Sequence, residues 1–441
     1  MTGYSRVAAG IGAVAVVLSV DSVVWAQTAS TCAFTGTTVY ATGAQSATPY
    51  LAQLSQVFAS QTPPVNLVYF QTQSCAAVTA LTSSPPAAQS GSAFYWTTTV
   101  DGGAPVESTC TPATPVYPDA AVSDVYATTC EGATVPANEK EFSGPVQAMA
   151  FAVNSSSTAT VISEEAAHVV FKDIGLTNPS YLVAPWTNPA QLYIRAGGAT
   201  GAGSRFMIGS AIGLADTDWS SAITNVETSA SALLGAISGA GATANADETL
   251  GILATPNTDP NRPNSASKTP VKELAFQANG QECGYLPDSS NASFDKLNVR
   301  QGRYVIWGPI HFITAVSGGK PVNSSSTPGD SATDAAVQEL IDLLTLNTTL
   351  TDGQAEASIQ AAAQAGVVAD CAMQVQRTGE ATPKPVEYSY SPPEGSCGCY
   401  WESQTIAGAT PTGCHTCTAS TACKTNYPAT PVCRYGFCEA N

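Results

Sequence analysis

The chain is 441 residues long and carries a formal net charge of −17, with 16 lysines and arginines against 33 acidic residues. That balance excludes a general nucleic-acid binder, and the length exceeds what one small core organises, so two lobes are expected. All 13 cysteines lie beyond the first 31 residues, which fits an oxidising compartment, and the odd count leaves one without an intramolecular partner.

Residues 1–26 read as an export signal. Met1–Arg6 is a short, weakly basic leader, Val7–Val24 is mostly apolar, and Val24-Trp25-Ala26 offers a small residue at the cleavage position. Asp21 interrupts the apolar run and argues against a permanent anchor. Thr31 before Cys32 does not suit lipid attachment. The expected location is therefore periplasm, cell surface or medium.

From Thr37 to about Gln376 short strand-like runs alternate with helical ones. Val39-Tyr40-Ala41 predicts a strand and Pro49–Ala59 an amphipathic helix with Leu51, Leu54 and Phe58 inward. Asn66–Gln71 is the next strand, and Val146–Val153 a buried one. Ser163-Glu164-Glu165 caps a helix running through Phe171, its acidic residues at the positive end. Gln191–Arg195 is a strand, Arg205–Gly213 a helix, and Val337–Leu344 and Ala357–Ala365 are late helices. Such alternation indicates α/β layers around mainly parallel sheets. Thr228–Asp247, rich in Ser, Thr, Ala and Gly, is expected to be a low-complexity excursion. Residues 382–396 read as a Pro- and Glu-rich linker. The tail, 397–441, holds seven of the cysteines and few aliphatic residues, so disulfides or metal must staple it.

Three polar segments fall at expected strand ends. Thr42–Thr48 joins the first strand to its helix: Gly43 allows a tight turn, Ser46 and Thr48 offer hydroxyls, and Pro49 suits the first helical turn. An ordinary N-cap explains the same residues. In Val122-Ser123-Asp124-Val125 the serine can donate to an oxyanion, while an ionised aspartate can only accept. Asp124 would thus favour a ligand that still carries a proton, such as monohydrogen phosphate, and disfavour sulfate. Arg195–Ser204 is a glycine-rich strand-to-helix turn in which Arg195 is a charge-assisted donor, with Thr200 and Ser204 as available hydroxyls. It lacks the Gly-Lys-Ser/Thr ending of a nucleotide loop.

Taken together, these segments resemble the phosphate-binding proteins of ABC transporters, within the type II periplasmic solute-binding class. Val39–Leu54 is similar to the family's opening strand, loop and helix, and Asp119–Val125 to its strand ending in Ser-Asp. Gly144–Val153, followed by Ile162–Ala167, resembles the crossover into the second lobe, and Asn298–Pro309 the return segment. The likeness runs over roughly residues 36 to 376. It departs at the third loop, which is longer, at Gly197, where the family often has an acidic residue, and at Val305 in place of proline. The resemblance implies a two-lobed fold, each lobe a mainly parallel sheet flanked by helices, with residues 32–128 and 298–381 as lobe 1 and 129–297 as lobe 2. It implies an oxyanion site of Ser46, Thr48, Ser123, Asp124, Arg195 and either Thr200 or Ser204, without cofactor, metal or catalysis. The partners it implies are a small oxyanion, phosphate first, and an ABC permease.

His168 and His311 read as packing residues. His415, within Cys414-His-Thr-Cys417, permits a zinc knuckle, although disulfides suit an exported chain better. In the main body Cys110–Cys130 and Cys283–Cys371 are the expected pairs. An alternative to solute uptake is a surface or extracellular interaction protein that reuses the binding fold, with the tail as its attachment module. A hydrolase on this scaffold would need an activated nucleophile or metal cluster that the sequence does not display.

Overall fold

Thr37–Ala44 forms a strand because its apolar residues, Val39, Ala41 and Ala44, are buried by layers on both faces. The computed structural model describes residues 30–97, 104–176, 182–240, 245–263, 267, 269–324, 330–377, 379–380, 395–405, 411 and 413–440. The expected signal, 1–26, and all but the last two residues of the expected linker lie outside these residues.

The opening strand runs parallel to Val65–Thr72 on one side and to Ala120–Ser123 on the other. Beyond Ala120–Ser123 lies Trp307–Ser317, antiparallel, and beyond that Glu139–Asn154, antiparallel again. The far end of Glu139–Asn154 then enters a second set. There it pairs antiparallel with Leu250–Ala254, which is parallel to Leu192–Arg195, itself parallel to Asn225–Glu227. Val271–Glu273 closes the other side. In chain order both halves share one arrangement: second, first, third, an antiparallel strand arriving from the other half, then fourth. This is the expected two-lobed α/β arrangement, but the sheet is mixed rather than mainly parallel, because the crossing strands and the added hairpin pair antiparallel.

Because the 16-residue strand Glu139–Asn154 serves both halves, the result is one continuous 13-stranded sheet. Gly144–Asn154 is buried throughout, which explains its near-unbroken apolar sequence. Thr48–Ala59, Ser331–Thr345 and Asp352–Gln364 cover the first half, while Gly203–Ala211 and Ala230–Gly239 cover the second. The predicted Ser163 cap is present, its hydroxyl accepting from Ala166 N at 3.1 Å.

Several expectations need correction. Thr228–Asp247 is not an excursion: Ser229 caps the helix Ala230–Gly239, which buries Leu233, Leu234 and Ile237. The antiparallel pair Ala93–Thr97 and Val106–Thr111 extends the first half and was not expected from the sequence. The two expected disulfides do not form. Cys110 pairs with Cys32, Cys130 with Cys75, and Cys371 with Cys397, while Cys283 is exposed and unpaired. Alignment of Ser30–Thr31 with Val106–Thr111 brings Cys32 to Cys110.

The tail is stapled by Cys399–Cys414, Cys417–Cys433 and Cys423–Cys438. These bonds occupy the sulfurs that a zinc knuckle would need. Its first helix, Gly398–Ser403, is built into the main body: Trp401 is fully buried, its indole donates to Val367 O at 3.1 Å, and Glu402 pairs with Arg300 at 2.9 Å. His168 Nδ1 lies 2.7 Å from Ile212 O, and His311 is buried against Tyr126 with its Nδ1 3.0 Å from Glu141.

Candidate functional site

The carboxyl ends of the parallel strands from both halves face one another, the usual place for a ligand in α/β sheets. The opening strand delivers Gln45 and Ser46, Val65–Thr72 leads to Ser74, and Ala120–Ser123 leads to Asp124. From the second half, Leu192–Arg195 ends on Arg195, and the turn after it leads to Ser204. These six residues line one narrow cavity of about 20 Å³, together with Asn257. The space suits a small group rather than a drug-sized molecule, whose sites run to roughly 300 Å³ or more.

Two helices begin at this cavity, Ser74–Thr82 and Gly203–Ala211, and the short turn Gln45–Ala47 that leads into Thr48–Ala59 lines it as well. Neither of the two has a side-chain cap, the preceding residues being Gln73 and Ala202. Their dipoles place positive ends at the site, which favours an anion, although Cys75 N is used by Gly201 O at 3.1 Å and Gly203 N by Ser74 Oγ. Ser74 Oγ accepts from Asp124 N at 3.1 Å and from Gly203 N at 3.2 Å, tying the halves together. A Cβ on Gly203 would come within 2.4 Å of Asp124 Cβ, so only glycine allows this approach.

Asp124 is buried and accepts hydrogen bonds from Ser46 Oγ and Gln147 Nε2 on the same oxygen. Burial pushes its carboxyl above the usual carboxylate range, while bonds from Ser46, Gln147 and Ser74 and the charge of Arg195 act the other way. Arg195 is also buried. Its Nη2 donates to Thr228 O at 3.1 Å and Gln45 Oε1 at 3.4 Å, and its Nε has no acceptor among the described residues. Burial lowers its pKa, with Asp124 and Glu227 opposing. Gln45 spans the halves as well, accepting from Ala230 N at 2.9 Å and donating to Thr228 O at 3.3 Å.

Of the residues expected from sequence, Ser46, Asp124, Arg195 and Ser204 meet at the cavity. Three do not line it. Ser123 Oγ donates to Val125 O at 2.6 Å and closes its own turn. Thr48 Oγ1 accepts from Gln71 Nε2 at 2.9 Å beside the helix start. Thr200 is exposed on the short turn Gly198–Thr200, so Ser204 is the hydroxyl of that loop which faces inward. Gln45, Ser74, Gln147 and Asn257 were missed. The strand-to-helix turn Gln71-Thr72-Gln73-Ser74 was the available signal for Ser74, since it repeats the pattern of Thr42–Thr48.

The acidic residue absent at position 197 has a counterpart. A Cβ on Gly197 would lie 2.3 Å from Asp216 Oδ1, and that carboxylate accepts from Gly198 N and from Arg205 Nε, each at 2.6 Å. Arg205 also donates to Arg195 O at 3.2 Å and stacks over Trp219, fixing the longer loop.

Neither a family model nor a curated protein sequence matches the chain. Among solved structures it is similar to an ABC-type phosphate transport receptor from Vibrio cholerae, at 15% identity and a TM-score of 0.43 over 75% of this chain and 99% of that one. It is similar also to a phosphate ABC transporter substrate-binding protein with bound phosphate from Clostridium perfringens, at 11% identity and 0.43 over 75% and 99%. The reduced OxyR regulatory domain from Pseudomonas aeruginosa follows at 10% identity and 0.34 over 70% and 98%.

Proposed function

We propose that the protein is an exported solute-binding protein that holds a small oxyanion, phosphate, between its two halves for ABC-type uptake. The observation that carries this reading is the burial of Arg195 and Asp124 around one small cavity at the uncapped starts of Ser74–Thr82 and Gly203–Ala211. Arg195 and Ser204 supply donors to an anion's oxygens, and the positive ends of the two helix dipoles favour its charge. Asp124, an acceptor when ionised, takes the hydrogen bond that monohydrogen phosphate can give and sulfate cannot. The six disulfides support an oxidising compartment. Lobes of 32–128 with 298–381 and of 129–297 would close on the ligand by hinge motion across the shared strands. Nothing in this reading needs catalysis or a cofactor.

Titration calorimetry with phosphate, arsenate and sulfate tests it. Saturable heat with phosphate and arsenate, and none with sulfate, is expected. Absence of heat with phosphate together with an unchanged melting temperature would overturn it.

A second reading, a surface interaction protein with the tail as attachment module, is favoured by the three disulfides confined to residues 399–438. Truncation from Pro411 tests it, because that leaves Trp401 in place. Loss of surface retention with phosphate affinity intact supports the attachment role, and unchanged retention removes it.

A further inference from the structure

Among the described residues, every hydrogen bond of the Gln45 side chain goes to the opposite half of the molecule. Gln45 begins the short turn Gln45–Ala47 that follows the opening strand, which sets it at the cleft edge of the first half. Its Oε1 accepts from Ala230 N at 2.9 Å and from Arg195 Nη2 at 3.4 Å, and its Nε2 donates to Thr228 O at 3.3 Å.

Each of these partners gains from the contact. Ala230 opens the helix Ala230–Gly239, and the first N–H groups of a helix have no acceptor within it. Ser229 Oγ accepts from Ala232 N at 3.1 Å, and Gln45 accepts from Ala230 N. A residue of one half thus completes the cap of a helix in the other. Thr228 O also accepts from Arg195 Nη2, at 3.1 Å, so Gln45, Arg195 and Thr228 close a ring of three hydrogen bonds. The ring fixes the guanidinium at the wall of the oxyanion cavity, which Gln45 and Arg195 both line. Across the cavity a second seam joins the halves, where Cys75 N donates to Gly201 O at 3.1 Å and Gly203 N to Ser74 Oγ at 3.2 Å. Both seams run from protein to protein.

We infer that Gln45 is a clasp: it holds the halves shut over the cavity without a bridging ligand, and it positions Arg195 there. An amide suits this task, because one neutral head both donates and accepts and adds no charge to a cavity that receives an anion. A ligand enters when the clasp parts, and the ring re-forms behind it, so Gln45 sets how long the ligand stays. That last step rests on the oxyanion reading, whereas the closure of the halves does not.

Small-angle X-ray scattering of the full chain, in phosphate-free buffer and after phosphate is added, tests the closure. The native chain should keep one radius of gyration in both conditions. Gln45→Ala should be larger in phosphate-free buffer, and so should Gln45→Asn, whose amide falls one methylene short of its partners. In stopped-flow release, phosphate should leave Gln45→Ala at least ~10-fold faster than the native chain. A native chain that is open until phosphate is added overturns the clasp, as do variants that stay as compact as the native chain. Release at the native rate from an opened variant overturns its hold on the ligand. Should phosphate not bind at all, the oxyanion reading falls, and the scattering in phosphate-free buffer still decides the clasp.

Discussion

Two regions of this molecule bury charge, and they do it in opposite ways. In the second half, Arg262 contacts Asp259 at 2.6 Å, Glu273 at 3.2 Å and also Asp288. Lys296 contacts Asp259 at 2.7 Å and Asp288 at 3.0 Å. Every charge there has an opposite charge against it. In the interlobe cavity, Asp124 and Arg195 are just as buried yet form no ion pair among the described residues, and neutral groups hold each of them. Charges that satisfy one another lock chain segments together. Charges buried beside each other but kept unpaired are, on the proposed reading, reserved for a ligand that satisfies both.

The sharpest way to break this contrast is to remove one cation from each region. Lys296→Met should destabilise the protein by about 3–5 kcal/mol in urea unfolding, because two buried carboxylates lose one of their two cations and three carboxylates are left around Arg262 alone. Arg195→Met should leave stability nearly unchanged and weaken phosphate by at least about 100-fold, on the 2–5 kcal/mol scale of a buried charged contact. The reverse pattern would show that the cleft arginine is structural.

Asp124→Asn is the next largest. Asparagine keeps an acceptor and adds a donor, so calorimetry should show the preference for phosphate over sulfate shrinking by at least about tenfold, or about 1.4 kcal/mol. An unchanged preference would mean that Asp124 does not sense the ligand's proton.

Asp119 sharpens the comparison from a third side, as a buried carboxylate with no cation against it among the described residues. It accepts from Tyr40 N at 2.9 Å and Ser324 N at 3.3 Å, yet burial, with Asp334 and Asp330 adding to it, pushes its carboxyl up to about 7. The folded state therefore binds this proton more tightly than the unfolded chain, where the group titrates near 3.9. Its contribution is fully present below about pH 4 and is lost as pH rises toward 7. Asp119→Asn should flatten the fall in melting temperature over that interval by a few degrees, the smallest of these effects.

The repeating elements were legible because burial on both faces writes itself into sequence, as in Gly144–Val153. Ser46, Asp124 and Arg195 were legible because each lies at or just past the end of a strand, where the fold aims it at the cleft. Other features depend on geometry that no local pattern carries. Ser123 has the right neighbours, but its hydroxyl is used by its own turn. Gln147 lies mid-strand among apolar residues and reaches Asp124 only because the crossing strand passes the cleft. The helix Ala230–Gly239 was hidden by a composition of small residues, although Leu233, Leu234 and Ile237 already had helical spacing. Disulfide partners were misjudged for the same reason: Cys32 meets Cys110 only through strand pairing 78 residues apart.

Glu139–Asn154 has a further consequence for how the protein comes apart. A strand shared by both halves of one sheet cannot be released by one half while the other keeps it, so the halves should melt in a single cooperative step despite the chain's length. The slowest-exchanging amides should fall on this strand, on both sides of Gln147. The residue that steadies Asp124 would then sit on the last element to open, so that the cleft keeps its shape for as long as the molecule stays folded.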